Sequence, residues 1–278
     1  MDYAKRFRVE PESKVKLAEI DAGYKGDADK DSAQPELEKH AERLRDLQYL
    51  MYAENKRSLL VILQGMDGAG KDGTINHVLS AMNPQGCLVY AFKTPSDEES
   101  AHDYLWRVHQ AVPRKGQVAV FNRSHYEAVL VVRVHNLVPR EIWSKRFDEI
   151  NAFEEELTNN GTHILKFFLH IDKDEQLARF KQRLDDPKRQ WKISESDYTE
   201  REYWNDYQHA YEEALSKCST QNAPWYIIPS NHKWFGNLAV SQIMAESLDS
   251  LKMTLPQPTV NIAEIKKKYH AALKEDRK

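Results

Sequence analysis

The 278-residue chain carries only two cysteines, Cys87 and Cys218, far apart and without metal-site spacing. That scarcity excludes a disulfide framework and fits a reducing compartment. No apolar run reaches the length that crosses a bilayer, and the opening MDYAKRFRVEPESK lacks the apolar core of a signal peptide. A cytoplasmic address with no membrane partner is therefore expected. Charge of one sign is also lacking: 40 Lys and Arg face 43 Asp and Glu, for a net charge of −3. A protein that coats nucleic acid through overall charge is excluded, so any polyanion must be met by a local basic patch. There is no internal repeat, no low-complexity tract and no Asn-Lys-any-Asp string of a guanine-nucleotide switch. What is present, 41% apolar and 30% charged residues, suits one large α/β domain with appendages.

The chain is organised around residues 58–74, SLLVILQGMDGAGKDGT. An apolar run at 59–63 reads as a buried strand. Gly65, Gly68 and Gly70 follow, then Lys71 and residues that open a helix. This is the order of a P-loop: glycines let backbone amides turn inward around phosphate oxygens, and the next helix presents its positive end to the same anion. Lys71 adds a mobile point charge. Asp72 stands where P-loops usually carry the Ser or Thr that helps hold magnesium. Asp67, a carboxylate inside a phosphate loop, implies a cation between it and the substrate and is the expected metal ligand.

Along the rest of the chain, residues 1–34 hold Pro11, Gly23, Gly26 and most of the polar string KGDADKDSAQP, and are expected to form an extended arm. Leu37, Leu44, Leu47 and Met51 predict an amphipathic helix over 35–56. Further strands are expected at 87–92, 117–122, 162–171 and 224–229. Helices are expected after Ser96 as N-cap, over 139–160, after Asp172, over 197–218 and over 235–251. Five strands alternating with helices predict an α/β fold: a P-loop kinase-like, mostly parallel sheet of about five strands with helices on both faces. The kinase domain is expected to span 35–255, followed by a charged tail over 256–278. The polar string NRSHYE ends the third strand, where open α/β sheets place their ligands.

Residues 179–192 hold Arg179, Lys181, Arg183, Lys188, Arg189 and Lys192 against only Asp185 and Asp186, a local charge of +4. A charge run is usually a solvated helix face. After the fourth strand of a P-loop fold, however, it stands where nucleotide kinases carry a mobile lid whose arginines neutralise transferring phosphates. A helical basic lid over about 179–201 is expected, with Arg179 and Arg183 four apart on one face. Tyr203, Trp204, Tyr207 and Tyr211 at helical spacing suit packing better than base stacking.

GMDGAGKDGT, FKTPSDEE with HDYLWR, VFNRSHYE and RLDDPKRQWKIS together resemble the polyphosphate kinase 2 family, from about Tyr24 to Leu251. The resemblance implies phosphoryl transfer between inorganic polyphosphate and adenine, or also guanine, nucleotides, with magnesium, or manganese in its place. NRSHYE looks like the subgroup that accepts both AMP and ADP, although Ala128 stands where that subgroup commonly has Asp. By the same likeness Asp67, Lys71, Arg123 and Arg183 would be catalytic, and Asp67 and Asn122 would hold the metal. Gly65, Gly68, Ala69, Gly70, Asp72, Lys93, Arg107, Glu127, Arg179 and Lys188 would bind phosphate or nucleotide, in a homodimer or homotetramer. Two rival readings are an ATP-dependent nucleoside monophosphate kinase and a non-catalytic nucleotide-binding module.

Overall fold

A strand that is apolar without alternation must be covered on both faces, and β1 (Ser58–Gln64) is buried at every residue. In the computed structural model, which describes residues 1–275, β1 is the middle of a five-stranded parallel sheet. Its partners are β2 (Cys87–Ala91), β3 (Val118–Asn122), β4 (Thr162–His170) and β5 (Trp225–Pro229), in the order β2-β3-β1-β4-β5. Leu63 pairs with Asn122 on one side and Gln64 with Phe168 on the other. The chain thus leaves β1 at the point where the strand order diverges, and the crevice beyond the carboxyl ends opens there.

The helices are α1 (Tyr3–Phe7), α2 (Lys30–Glu54), α3 (Lys71–Leu79), α4 (Asp97–Ser100), α5 (Trp106–His109), α6 (Val131–Val134) and α7 (Arg140–Trp143). They continue with α8 (Arg146–Asn159), α9 (Lys173–Asp185), α10 (Glu195–Glu202), α11 (Trp204–Lys217), α12 (Lys233–Ser250) and α13 (Ile262–Glu275). Alternation along β4 separates the two layers. Lys166 and Phe168 face α8 and α11, through Glu154 and Tyr211. His163, of opposite parity, meets Ser247 of α12 at 2.6 Å. Helices α2 and α3 pack with α12 in that second layer. No helix among the described residues is long and apolar enough to cross a membrane.

Several expected elements differ in detail. The N-terminal arm is packed down onto the sheet and α12. Tyr3 and Phe7 are buried, stacked on each other and set edge-on to Phe235 of α12. The chain then runs along β5, where the Val9 amide donates to the Trp225 carbonyl at 2.8 Å and Arg8 bridges Tyr226 in antiparallel fashion. The arm covers an otherwise open sheet edge. Helix α2 begins at Lys30, not at 35, because Asp29 and Ser32 form a capping box; Pro35 sits inside the helix.

The expected helix over 139–160 is two, α7 and α8. The one over 197–218 breaks at Tyr203, whose ψ of 16° lies outside the helical region. Ser96 does cap a helix, in a box with Glu99, but α4 is a single turn. The tail forms α13, exposed from Ile262 to Lys274, and residues 276–278 of the expected tail lie outside the described residues.

Candidate phosphate site at the glycine loop

The loop between β1 and α3 takes its path from its glycines. Gly65 has φ +153°, and a Cβ there would lie 2.8 Å from the Leu169 carbonyl oxygen. Gly70, the N-cap of α3, is left-handed at φ +106° and brings the chain into the helix with the first-turn amides unpaired within it. Lys71 folds back under the loop: its Nζ donates to the carbonyls of Gly65 at 2.8 Å and Met66 at 3.3 Å. Burial pulls the Lys71 ammonium down to about 8, with the Asp67 carboxylate opposing.

The end of β3 supplies the facing wall. Arg123 adopts a left-handed φ of 61°, unusual for a side chain that size, while its amide donates to the Leu63 carbonyl at 3.0 Å. Its Nη2 donates to Asp67 Oδ1 at 2.7 Å. Burial works against this charge, but Glu127 and Asp67 outweigh it and hold the guanidinium above its usual range. Asn122 Nδ2 donates to Asp72 Oδ1 at 2.7 Å, leaving the amide oxygen free, and Lys192 Nζ lies 3.8 Å from Asp72 Oδ2. Asp72, in the place of the usual hydroxyl, therefore joins the end of β3 to the basic segment after α9. Glu127 accepts from Gln64 Nε2 at 3.0 Å, and the same amide nitrogen meets Tyr211 Oη at 3.3 Å.

The structure brings Asp67, Lys71, Asp72, Asn122, Arg123 and Glu127 to one place. Arg179 is a correction. Although expected among lid contacts to phosphate, it is buried beneath the loop, and each of its N–H groups is engaged by the protein. Nε donates to Glu175 at 2.6 Å, and Nη1 to the carbonyls of Gly68 at 2.9 Å and Ala69 at 2.8 Å. Nη2 donates to the carbonyls of Ser230 and Asn231. A guanidinium with all five donors committed inside the protein is a clamp on the loop.

Arg183 does lie on the basic segment, half-buried, with Nη1 at 3.3 Å from both the Lys192 carbonyl and Asp197 Oδ1. Lys188 is exposed, its amide tied to Asp186. Lys93 and Arg107 stand at the end of β2, lining with Tyr90, Phe92 and Glu99 a cleft of about 330 Å³. Arg107 is fixed there by the Lys93 carbonyl at 2.8 Å and Glu99 at 3.1 Å.

Sequence reasoning counted Lys192 only as part of the basic segment and assigned no role to Gln64 or to Gln176, whose Nε2 donates to the Asp67 carbonyl at 2.8 Å. The signal for Gln64 was present, a polar residue ending an apolar strand. Tyr207 and Tyr211 pack and hydrogen-bond, Tyr207 to Glu200 at 2.7 Å.

The oxygen donors here, Asp67, Asp72, Asn122 and Glu127, are hard ligands. Among the described residues no three His, Cys, Asp or Glu side chains could hold an ion together. One or two protein oxygens completed by water and phosphate is how magnesium is commonly bound, so the residues fit that ion.

A parallel sheet that sends its central strand into a lysine-bearing glycine loop, faced by a cationic second strand end, defines a P-loop kinase type of protein. Residues 27–256 match the family model of polyphosphate kinase 2, and the chain belongs to that family. It is 49% identical to the AMP/ADP-polyphosphate phosphotransferase of Meiothermus ruber, over 91% of this chain and 96% of that protein. It is 46% identical to the ADP-polyphosphate phosphotransferase of Rhodopseudomonas palustris, over 92% and 93%. The crystal structure of polyphosphate kinase 2 from Arthrobacter aurescens superposes with a TM-score of 0.94 at 41% identity, covering 98% of this chain and 97% of that one.

Proposed function

We propose that this protein transfers phosphoryl groups from inorganic polyphosphate to AMP and ADP, giving ADP and ATP, and catalyses the reverse reaction. The observation that carries the reading is the ring of cations around one anion-binding loop: Lys71 beneath it, Arg123 2.7 Å from Asp67, and Lys192 3.8 Å from Asp72. The names of the Meiothermus ruber and Rhodopseudomonas palustris proteins support polyphosphate as the donor.

In the proposed reaction the loop amides and the α3 N-terminus hold one set of phosphate oxygens, and Lys71 leaves the Gly65 carbonyl for phosphate. Asp67 and the free amide oxygen of Asn122 would hold magnesium, or manganese, which would supply charge neutralisation for the phosphates. Arg123, held by Asp67 in this structure, would be the guanidinium that meets the transferring group. The basic segment beyond Arg179, up to residue 201, acts as the lid, bringing Arg183 and Lys188 over the chain of phosphates; Glu127 borders the acceptor, and Lys93 and Arg107 bind nucleotide phosphate. Transfer is in line between bound substrates, so positioning and charge stabilisation supply the rate. The proposal extends to a homodimer or homotetramer, to guanine nucleotides as further substrates, and to the cytoplasm, where the free thiols of Cys87 and Cys218 suit a reducing medium.

The test is a time course with purified protein, magnesium and long-chain polyphosphate, giving AMP or ADP separately and resolving the nucleotides by chromatography. Conversion of AMP through ADP to ATP, dependent on polyphosphate, is the expected result. Conversion of ADP alone would remove AMP and turn attention to Ala128, which is buried with its carbonyl held by Arg146 at 2.9 Å. AMP phosphorylated only when ATP is supplied would make the protein an ordinary nucleotide kinase.

A further inference from the structure

β4 is the strand beside β1, and its interior carries one charged residue, Lys166, completely buried between apolar neighbours. Its Nζ spends its three donors on the Tyr126 hydroxyl at 2.8 Å, on Glu154 Oε2, and on the Cys218 carbonyl at 2.6 Å. Glu154, from α8, accepts in turn at Oε1 from the Tyr126 hydroxyl at 2.9 Å and from His125 Nε2 at 3.2 Å. Burial alone would push the Glu154 carboxyl up, but Lys166 and His125 outweigh it and hold it below its usual range. A buried ion pair contributes less to stability than well-packed apolar residues would, so its presence calls for another explanation.

Its location supplies one. His125 and Tyr126 lie between Arg123 and Glu127, the two residues that the end of β3 turns toward the glycine loop. Arg123 holds a left-handed backbone conformation that an arginine does not adopt without restraint. The restraint on its amino side is the Leu63 carbonyl. On its carboxyl side it is Ser124, whose Oγ meets Gln64 Oε1 at 3.3 Å, followed at once by the two side chains sunk into the charged cluster. The Cys218 carbonyl brings in the end of α11, the helix whose Tyr211 shares Gln64 with Glu127.

We propose that the Lys166, Glu154 and Tyr126 cluster is the anchor that fixes Arg123 and Glu127 against the glycine loop, making Tyr126 and Lys166 positioning residues for phosphoryl transfer. The anchor acts from the dry side of the sheet and touches no substrate. It rests on the reading of the site given above, and its test has one readout that does not depend on the donor.

Two variants are compared with wild type. Tyr126→Phe keeps the ring and deletes the hydroxyl; Lys166→Met with Glu154→Gln removes both charges together, so that no ion is left buried alone. Each is measured by thermal melting, by kcat and KM for ADP with polyphosphate, and by hydrogen exchange of the peptide spanning 122–128. Both variants are expected to stay folded, to lose about tenfold or more in kcat with KM changed less than about twofold, and to exchange faster over 122–128 but not over 58–64. In an Arg123→Lys background Tyr126→Phe is expected to cost less than it does alone, as coupled residues require. Unchanged kcat in both variants, or unchanged exchange over 122–128, would leave the cluster a core feature and overturn the proposal. If wild type transfers nothing from polyphosphate, the activity reading falls while the exchange measurement still decides the anchor.

Discussion

Arg123 and Asp67 neutralise each other across the mouth of the glycine loop, Nη2 to Oδ1 at 2.7 Å. In the proposed reaction a phosphate with its divalent cation would offer each of them a better partner, and the pair would separate. Asp67→Asn is therefore expected to raise the magnesium concentration for half-maximal rate by on the order of tenfold. Arg123→Lys is expected to lower kcat with that magnesium requirement unchanged, since a lysine restores charge without the guanidinium's geometry. Magnesium titrations of initial rate distinguish the two, and equal shifts in both variants would break the assignment.

Lys71 titrates where activity is measured. Pulled down to about 8 by burial, it loses its proton as pH rises through that value, so kcat/KM for polyphosphate is expected to fall above pH 8. Lys71→Arg, which does not titrate there, should lose that limb of the profile, and Lys71→Ala should abolish transfer while the protein stays folded. Stability runs the other way. The unfolded lysine binds its proton up to its ordinary 10.5, so between about 8 and 10.5 the unfolded state holds more protons and this residue's contribution to stability rises with pH. Rate profiles paired with urea melts at pH 7.5 and 9.5 check both signs, using the Lys71→Ala protein as reference.

Arg179 and Arg183 sit one helical turn apart and do different work. Arg179→Met strands the carbonyls of Gly68, Ala69 and Ser230, at about 1 to 3 kcal/mol for each acceptor left buried and unpaired. A marked fall in melting temperature is expected together with the loss of activity. Arg183→Ala should melt close to wild type yet turn over about a hundredfold more slowly. Melting curves and kcat for the two proteins decide this; an unaltered rate in the Arg183 variant would return that residue to a solvated helix face.

Phe7 is buried against Tyr3, Tyr24 and Phe235. Phe7→Ala is expected to cost about 3 kcal/mol of stability, read as a lower urea midpoint, with kcat at the glycine loop unchanged in the folded fraction. A midpoint equal to wild type would show that the arm adds no stability to the sheet edge it covers.

The sheet was legible because it is written in uninterrupted apolar runs, and the glycine loop because Gly65, Gly70 and Lys71 leave few conformations open. The role of Arg179 was not. Its spacing from Arg183 is what a phosphate-binding face would show, and only the packing of α9 under the loop sends one arginine inward and leaves the other on the basic segment. The packing of the arm was not legible because Tyr3, Phe7 and Val9 alternate too briefly for a periodicity, and their partners, Phe235 and Trp225, lie more than 200 residues away. Lys166 escaped notice for a related reason: one lysine among apolar residues says nothing about the glutamate on α8 that meets it.

The carbonyls of the glycine loop are all spoken for. Those of Gly65 and Met66 accept from Lys71, that of Met66 also from the Ala69 amide at 3.0 Å, that of Asp67 from Gln176, those of Gly68 and Ala69 from Arg179, and that of Gly70 from the Thr74 amide. Six successive peptide dipoles are thereby polarised from behind, negative ends tethered to the protein and the positive ends, apart from the Ala69 amide that closes on Met66, turned outward. Were Lys71 to leave for a phosphate, as proposed, the Gly65 carbonyl alone would lose its only donor in that set, while the four from Met66 to Ala69 would keep one. The loop consequently behaves as a rectifier for charge, already turned to receive an oxyanion and unable to present its oxygens to a bare cation without first breaking its own fastening.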